Sequence, residues 1–345
     1  MTDIEQNNRE RDATPETDGQ PPALDVRHLV TAFRAGDRDL IAVDDLSFTV
    51  KRGEIMAVVG ESGSGKSVTG LSIMGLIDAP GRVKSGEIRV DGITLDFNDE
   101  AALRRMRGNK LAMIFQDPMM TLNPVLKISR QMIEAITTHD RSVSKKEARQ
   151  RACAALAMVG IPAPEERLDG YPHELSGGMR QRVCIATALL NQPSVIIADE
   201  PTTALDVTIQ SQILFEIERI CKTHGTALVW ITHDMSVVAN LAHKVTVMYA
   251  GRVVESGPVR DVLENPLHPY TRGLIDSVPD IDLRKGELTP IPGMTPQLAD
   301  LPVGCKFAPR CPLRVTACGI EPPLSARPDG RSVRCIRPLD GREPK

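Results

Sequence analysis

The sequence has no long hydrophobic run and no marked excess of either charge. Its longest apolar stretches, such as residues 227–231, fall far short of the roughly 20 apolar residues that a membrane-spanning helix needs. The 42 lysines and arginines nearly balance the 45 aspartates and glutamates, and the net charge of −3 does not indicate a nucleic-acid-binding protein. We therefore expect no nucleic-acid partner, and we expect any membrane association to be made through a partner protein.

A secretory signal peptide and a disulfide framework are also missing from the pattern. Residues 1–22 are polar, acidic and proline-containing, so we expect a disordered tail over residues 1–23 and a cytosolic protein. Seven cysteines in a cytosolic chain argue against disulfides. A length of 345 residues with a hydrophobic fraction of 41% suits a globular protein of about two domains.

Residues 60–67 read GESGSGKS and fit the pattern of a phosphate-binding loop. The apolar run 54–59 before them predicts a buried strand, and residues 67–77 predict a helix, which is the context that the motif requires. The glycines let backbone N–H groups turn toward a phosphate chain. We expect Lys66 to reach the β- and γ-phosphates and Ser67 to ligate Mg²⁺. The predicted nucleotide-binding residues are Gly60, Glu61, Ser62, Gly63, Ser64, Gly65, Lys66 and Ser67.

Four polar residues follow other apolar runs, which we predict to be buried strands: Gln116, Asp199, Glu200 and His233. Paired acids at a strand end suit the positioning of Mg²⁺ and the activation of an attacking water. A histidine beyond the carboxyl end of a parallel strand lies where α/β proteins bind ligands. A lone histidine is more often structural, and Gln116 alone may equally be read as the start of a loop.

The order of apolar runs predicts the fold. Continuous apolar strands separated by helices are typical of a parallel sheet with helices on both faces. Residues 24–50 alternate at period two and predict β structure, and hairpins are expected at Asp91-Gly92 and Ala250-Gly251. Helices are predicted over residues 125–139 and 144–159.

A second anion site is predicted at residues 175–182, which read LSGGMRQR and open a predicted helix. A Ser-Gly-Gly turn at a helix start presents backbone N–H groups to an anion, although alone it is equally an ordinary helix cap. Phe33 precedes a turn, where an aromatic ring can stack on adenine. A phenylalanine in a β segment is more often part of the core.

Taken together, these motifs resemble the ATPase subunit of an ABC transporter over residues 24–260. The order carries the resemblance: the phosphate loop, Gln116, LSGGMRQR, the strand ending in Asp199-Glu200, the ALD of residues 204–206, and His233. The resemblance implies an α/β P-loop NTPase fold with an antiparallel β subdomain and a helical subdomain at about residues 117–175. A small cysteine-containing extension would follow over residues 261–345.

The resemblance also implies roles for individual residues. Phe33 would line the adenine, Glu200 would be the general base, and His233 would contact the γ-phosphate. Ser67, Gln116 and Asp199 would serve the Mg²⁺ ion, Asp199 through water, and Gln116 would also sense the membrane partner. The cassettes of this family dimerise head to tail, so Ser176, Gly177 and Gly178 would bind the nucleotide of the opposite subunit.

Residues 265–271 and 116–124 are similar to those of dipeptide and oligopeptide importers. The implied partners are two transmembrane permease subunits, a second paralogous ATPase and, indirectly, a periplasmic or extracellular solute-binding protein. A homodimer stays possible. The implied location is the cytoplasmic face of a bacterial inner membrane. Nickel, glutathione or another small solute is an alternative cargo, and a non-transport ABC ATPase is an alternative function.

Four cysteines, Cys305, Cys311, Cys318 and Cys335, are spaced C-x5-C-x6-C-x16-C in a proline-rich segment. Four thiolates can bind a [4Fe–4S] cluster or a zinc ion, but the tight C-x2-C pairs usual in structural zinc sites are absent. The resemblance implies an iron–sulfur cluster with a structural role. Unliganded cysteines, or a redox-sensing regulator, are the alternatives.

We expect no functional role for the basic neighbours of these four cysteines or for the other three cysteines. The charged neighbours of the four cysteines are Lys306, Arg310 and Arg314, which we expect to face solvent rather than to offset cluster charge. The remaining cysteines, Cys153, Cys184 and Cys221, lie in predicted helices, and we expect them to be buried apolar residues.

Overall fold

The computed structural model describes residues 19–202, 205–277 and 290–340. The predicted tail lies outside the described residues as far as residue 18, and so does Ala204 of the ALD motif. Ala23, at the end of that predicted tail, is buried, and its carbonyl accepts a hydrogen bond from Asp91 N at 3.0 Å.

The chain alternates strands and helices through most of its length. The strands are β1 (Leu24–Ala35), β2 (Arg38–Val50), β3 (Ile55–Val59), β4 (Gly81–Val90), β5 (Ile93–Thr94), β6 (Leu111–Ile114), β7 (Val195–Asp199), β8 (Ala227–Thr232), β9 (Lys244–Tyr249), β10 (Arg252–Pro258), β11 (Ser325–Ala326) and β12 (Ser332–Val333). The helices are α1 (Lys66–Met74), α2 (Glu100–Met106), α3 (Ile128–Thr137), α4 (Lys145–Met158), α5 (Pro164–Leu168), α6 (Gly177–Leu189), α7 (Val207–His224), α8 (Met235–Leu241), α9 (Val259–Glu264) and α10 (Pro269–Asp276).

A four-stranded antiparallel sheet is formed by β2-β1-β4-β5. The β4–β5 hairpin turns at Asp91 and Gly92, whose φ values of 52° and 79° are those of a tight two-residue turn. This confirms the β structure expected for residues 24–50 and the hairpin expected at Asp91-Gly92.

The larger sheet has the order β11-β12-β10-β9-β3-β8-β7-β6. Its strands from β9 to β6 are parallel, and β10 and β12 continue it in antiparallel fashion. Every residue of β3, β6, β7 and β8 is buried, which is why these strands are continuous apolar runs. The predicted parallel sheet is confirmed, as is the β9–β10 hairpin at Ala250-Gly251.

Helices α3, α4 and α5 form the segment between β6 and α6. Helix α4 begins after Ser144, whose hydroxyl accepts from Glu147 N at 3.2 Å, and it buries the predicted stripe of Ala148, Ala152, Ala155 and Leu156. The segment packs on α6 and on the β7–β8 side of the sheet through one apolar cluster. Of the other predicted helix cysteines, Cys184 and Cys221 are buried, while Cys153 is only half-buried.

The C-terminal extension packs directly on the larger sheet. Strand β12 pairs with β10, and the rings of Tyr270 and Phe307 lie 4.6 Å and 5.2 Å from that of Tyr249, centroid to centroid. The buried carboxylate of Glu255 on β10 accepts from the backbone N–H groups of residues 267 and 268, at 2.8 Å each. Among the described residues, no helix is both long enough and apolar enough to cross a membrane.

Candidate nucleotide site

The phosphate loop connects β3 to α1 in a conformation that only glycine tolerates at its ends. Gly60 has a φ of 155°, and an added Cβ would lie 2.3 Å from the backbone oxygen of Met248. Gly65 has a φ of 97°, and a Cβ there would lie 2.5 Å from the backbone oxygen of Ala42. The loop is therefore pressed against two neighbouring strands, and its glycines are required by space as well as by torsion.

Lys66 is the first residue of α1 and is buried. Its ammonium donates to the carbonyls of Gly60 and Glu61, at 2.7 Å and 3.0 Å. Burial lowers the pKa of Lys66, while the nearby acids Glu200, Asp199 and Glu61 act to raise it. The charge is thus desolvated but compensated, as suits a lysine that exchanges carbonyl oxygens for phosphate oxygens.

Ser67 and Asp199 form a pair that fits a magnesium ion. The Ser67 hydroxyl donates to Asp199 Oδ1 at 3.0 Å, which brings together a neutral and an anionic oxygen of the kind that Mg²⁺ prefers. Burial raises the pKa of Asp199, and the Ser67 hydrogen bond opposes that shift. The donor set therefore fits the ion, which would neutralise a carboxylate that is costly to bury.

Gln116, Glu200 and His233 meet across the ends of β6, β7 and β8. Gln116 Nε2 donates to Glu200 Oε2 at 3.2 Å, and His233 Nδ1 lies 3.1 Å from Glu200 Oε1. Glu200 itself has a φ of 45°, and its N–H donates to the carbonyl of Ile231 at 2.9 Å. A non-glycine residue rarely adopts this φ, and here it directs the carboxylate between the other two side chains.

These groups border one open cleft of about 430 Å³, a usual size for a small-molecule site. The cleft is lined by Ser62, Gly63, Gly65, Lys66, Ser67, Val68, Gln116, Glu200 and His233. Phe33 is not in that set; it is half-buried and packs against Gly81, where an added Cβ would lie 2.7 Å from its ring. Its contact with adenine stays a prediction.

The LSGGMRQR segment lies outside that cleft. Ser176 is the N-cap of α6, its hydroxyl accepts from Met179 N at 3.2 Å, and the residue is exposed. Gln181, one turn later, donates to the carbonyl of Phe115 at 3.3 Å, next to Gln116. The segment therefore contacts the loop after β6 through Gln181. Ser176, Gly177 and Gly178 do not line the cleft of their own chain.

Sequence reasoning missed a cluster around Glu61. The extension supplies Tyr270, Thr295 and Arg310 to this residue of the phosphate loop. The expectation that Arg310 and Lys306 face solvent is wrong. Arg310 is 5% exposed and pairs with Glu61, and Lys306 is 11% exposed and pairs with Asp44 at 3.2 Å.

Of the three basic residues, only Arg314 is exposed as expected. No periodic pattern in this proline-rich stretch distinguishes the buried from the exposed basic residues. The ion pairs compensate the burial of Arg310 and Lys306, and no sequence signal identified the acidic partners.

The cysteines at 305, 311, 318 and 335 line one small cavity, together with His268 and Phe307. Burial raises the pKa of Cys335 to about 12 and also raises the pKa values of Cys305 and Cys311, so burial favours the protonated form of these three thiols. Among the residues that the structure describes, no group of three or more His, Cys, Asp or Glu side chains is arranged to hold a single metal ion.

A second concave surface lies on the helical segment. This groove, of about 530 Å³, is bordered by α3 and includes Val125, Arg130, Ile133 and Tyr171. Val125 and Met120 are each 75% exposed, and Met120 follows Gln116 by four residues. An apolar, partly basic groove therefore adjoins the loop that carries Gln116.

Comparisons with known proteins agree with this geometry. Residues 43–203 match the ABC transporter family, and residues 254–318 match the C-terminal region of oligopeptide/dipeptide transporters. A putative peptide import ATP-binding protein of Brucella melitensis is 50% identical over 332 residues, covering 92% of this chain and 97% of that protein. The dipeptide transport ATP-binding protein DppD of Escherichia coli is 48% identical over 318 residues, with coverages of 92% and 97%.

Solved structures give the same result for the cassette. A dimeric ATP-binding cassette in a post-hydrolysis state, bound to ADP and Pi, has a TM-score of 0.63 at 28% identity, covering 69% of this chain and 99% of that chain. A protein of an ABC transporter complex from Clostridium perfringens has a TM-score of 0.59 at 28% identity, with coverages of 70% and 91%. The chain is thus an ATPase that uses ATP with Mg²⁺, and it belongs to the ATP-binding subunits of ABC transporters, in the dipeptide and oligopeptide importer family.

Proposed function

We propose that this chain powers the import of di- or oligopeptides through a membrane permease. The observation that carries the proposal is the oligopeptide/dipeptide C-terminal region, residues 254–318, which this chain has in addition to the cassette. The names of relatives that are alike over nearly their whole length, among them DppD, point to the same cargo.

The arrangement of the site supports a head-to-tail dimer as the working unit. Each chain has a phosphate cleft and, elsewhere on its surface, an exposed Ser176 at the start of a helix. Backbone N–H groups at such a helix start bind phosphate oxygens. ATP would therefore join two chains, with the Ser176, Gly177 and Gly178 of one chain covering the nucleotide of the other, and hydrolysis would release them.

Within one site, the roles of the residues follow from their contacts. Glu200 is the general base that takes a proton from the attacking water, while Gln116 and His233 hold its carboxylate. Lys66 leaves the carbonyls of the loop to bind the β- and γ-phosphates. Ser67 and Asp199 would hold Mg²⁺, with Gln116 also serving the ion, and the ion would supply charge stabilisation to the transferred phosphoryl group.

The permease would dock on the groove of the helical segment. The exposed Met120 and Val125 offer apolar contact, and Gln116 in the same loop reaches Glu200 at 3.2 Å. A displacement of the groove would thus be transmitted to the proposed catalytic base, Glu200, through the side chain of Gln116. We propose two permease subunits, a second paralogous ATPase, an indirect solute-binding protein and a peripheral position on the cytoplasmic face of a bacterial inner membrane.

For the extension we propose a structural [4Fe–4S] cluster held by Cys305, Cys311, Cys318 and Cys335. Support comes from the convergence of the four thiols on one cavity and from the preference of iron–sulfur clusters for four cysteine ligands. A multi-iron cluster also needs its sulfurs farther apart than a single zinc ion, whose Zn–S bonds are about 2.3 Å. Four thiols that line one cavity, but are not arranged around a single metal ion, are compatible with this wider spacing.

The experiment is purification of the tagged full chain from native membranes in mild detergent, with mass spectrometry of partners and iron analysis. We expect two permeases, a second ATPase and about four irons per chain. A Cys318→Ser variant should lose the iron, and the matched Cys153→Ser variant should keep it. Ribosomal or DNA-repair partners without a permease would overturn transport, and iron-free protein from anaerobic purification would overturn the cluster.

A further inference from the structure

Glu61, the second residue of the phosphate loop, is held at all of its polar groups. Its backbone N–H donates to the Tyr270 hydroxyl at 2.8 Å, and its backbone carbonyl accepts from Lys66 Nζ at 3.0 Å and from Ser64 N at 3.2 Å. Its carboxylate accepts from Arg310 Nη1 at 2.6 Å and Nη2 at 3.0 Å, and from the Thr295 hydroxyl at 3.0 Å. Apart from Lys66 and Ser64, all of these partners belong to the C-terminal extension.

Arg310 is itself fixed in place. Its Nε donates to the carbonyl of Pro292 at 2.8 Å, its Nη2 lies 3.3 Å from the carbonyl of Gly293, and its guanidinium lies 5.8 Å from the ring centre of Tyr249. Burial acts to raise the pKa of Glu61, but the hydrogen bond and charge of Arg310 outweigh it and hold that pKa below its usual range. A two-pronged pair of this kind, with a buried guanidinium and a half-buried carboxylate, fixes geometry as well as charge.

The contacts of Lys66 show why this pair concerns ATP. Lys66 holds the Gly60 and Glu61 carbonyls, and it must leave them to reach the β- and γ-phosphates. Once Lys66 has left, the Glu61 carbonyl keeps the hydrogen bond from Ser64 N, and the described contacts to the Glu61 N–H and carboxylate all come from the extension. The opposite side of the loop is fixed through the sheet, because Gly251 N donates to the Ser64 carbonyl at 2.9 Å.

We propose, on the basis of ATP binding by this loop and independently of the solute carried, that Arg310 is a positioning residue for ATP. Through Glu61 it keeps the phosphate loop in the shape that receives the phosphate chain, so the C-terminal extension sets the affinity of the cassette for nucleotide. Glu200 and His233 follow β7 and β8 and do not depend on Glu61. The proposal therefore assigns Arg310 to nucleotide binding and not to the chemical step.

The test compares Arg310→Met with the wild-type full chain in calorimetric binding of a non-hydrolysable ATP analogue with Mg²⁺, and in steady-state hydrolysis. We expect the Kd and KM for nucleotide to rise about tenfold, because a small displacement of a binding group is costly, with kcat within about twofold. Arg310→Lys keeps the charge but loses the fork, and should lie between. The matched control is Arg314→Met, an exposed arginine of the same segment, which should leave Kd unchanged.

Two further variants decide the matter if Arg310→Met folds poorly. Tyr270→Phe removes only the hydroxyl that holds Glu61 N–H and should raise Kd a few-fold. In a double-mutant cycle, Glu61→Gln and the conservative Arg310→Lys should combine to less than the product of their separate effects. Unchanged Kd in folded variants, a fall in kcat alone, or independent effects in the cycle would overturn the proposal. A wild-type chain that binds no ATP would instead overturn the ATPase assignment.

Discussion

Glu200 shows most directly how one residue serves the chemistry. Its strained backbone, with a φ of 45°, and its contacts to Gln116 and His233 fix a carboxylate in the cleft. Glu200→Gln should lower kcat by about two orders of magnitude, because it removes the proposed general base. Phosphate release measures the loss.

The same variant should keep ATP binding, because Lys66, Ser67 and Asp199 are untouched. Size-exclusion chromatography with ATP should show a dimer that accumulates and does not reopen. Lys66→Ala is the matched comparison, and it should lose nucleotide binding itself. Hydrolysis by Glu200→Gln at a near wild-type rate would remove Glu200 from the role of base.

His268 should make the free energy of unfolding depend on pH. The side chain is 1% exposed, its Nδ1 accepts from Tyr270 N at 3.0 Å, and burial lowers its pKa to about 3. The unfolded chain binds this proton near pH 6.5, so the stabilisation is complete above that pH and is lost as pH falls toward 3. We expect the free energy of unfolding to fall by about 2 kcal/mol more between pH 7 and 5 in wild type than in His268→Gln.

Urea unfolding at the two pH values measures that difference. His173→Gln, a substitution of an exposed histidine, is the control and should retain the wild-type slope. Equal slopes in wild type and His268→Gln would show that His268 does not bind the proton on unfolding.

At the scale of residues, the sequence predicted the site residues that follow the strands of the sheet, and it missed the contacts that the C-terminal extension makes with the phosphate loop. Gln116, Glu200 and His233 were predictable together because each follows a parallel strand, and the carboxyl ends of such strands meet at one edge. The pair of Glu61 and Arg310 was not predictable, since the two are separated by 249 positions and no periodicity relates them.

At the scale of elements, the serines that cap two helices allow helix stability and dimer formation to be tested separately. Ser144 and Ser176 each accept a backbone N–H at 3.2 Å, at the starts of α4 and α6. Substitution of either by alanine should lower the free energy of unfolding by about 1 kcal/mol. Only Ser176→Ala should also weaken the ATP-dependent dimer, because only Ser176 is proposed to reach the partner's nucleotide.

Chemical denaturation and ATP-dependent dimer formation, measured on both variants, separate the two roles. A Ser144→Ala chain that dimerises as poorly as Ser176→Ala would show that the loss comes from helix stability alone. That result would argue against the start of α6 as part of the proposed dimer interface.

Elements with a strong local pattern were predicted closely, and those made by tertiary pairing were not. The apolar run before His233 was predicted to be a buried strand, and strand β8 is found there over residues 227–232, since a buried parallel strand must be apolar throughout. For the β4–β5 hairpin the turn at Asp91-Gly92 was predicted. Strand β4 begins as early as Gly81, because pairing with β1 extends it through a mostly exposed, polar stretch. The two-residue strands β11 and β12 are too short to leave a pattern.

At the scale of the molecule, the cassette and the extension share one sheet and one aromatic cluster. A chain ending at residue 260 would lose β12 from the edge of β10, Tyr270 from Tyr249, and the N–H partners of the buried Glu255. We expect its Tm to fall by roughly 10 °C or more, or the chain to be insoluble. The predicted boundary at residue 260 would then mark a change of sequence family and not an independent folding unit.

Thermal unfolding followed by circular dichroism measures the effect. A chain ending at Asp340 keeps all of these contacts and is the control. A fragment of residues 1–260 that is soluble and unfolds at the wild-type temperature would show that the cassette folds on its own.

The separation between Glu61 and Arg310 has a consequence for synthesis. The ribosome makes the phosphate loop early and its arginine partner 249 residues later, a delay of roughly 12 to 50 s at 5–20 residues per second. During that interval the nascent cassette has its glycine loop but not its buried guanidinium. If Arg310 positions the loop as proposed, an unfinished chain would bind ATP about tenfold more weakly than the completed one, so full nucleotide affinity would arise only at the end of synthesis.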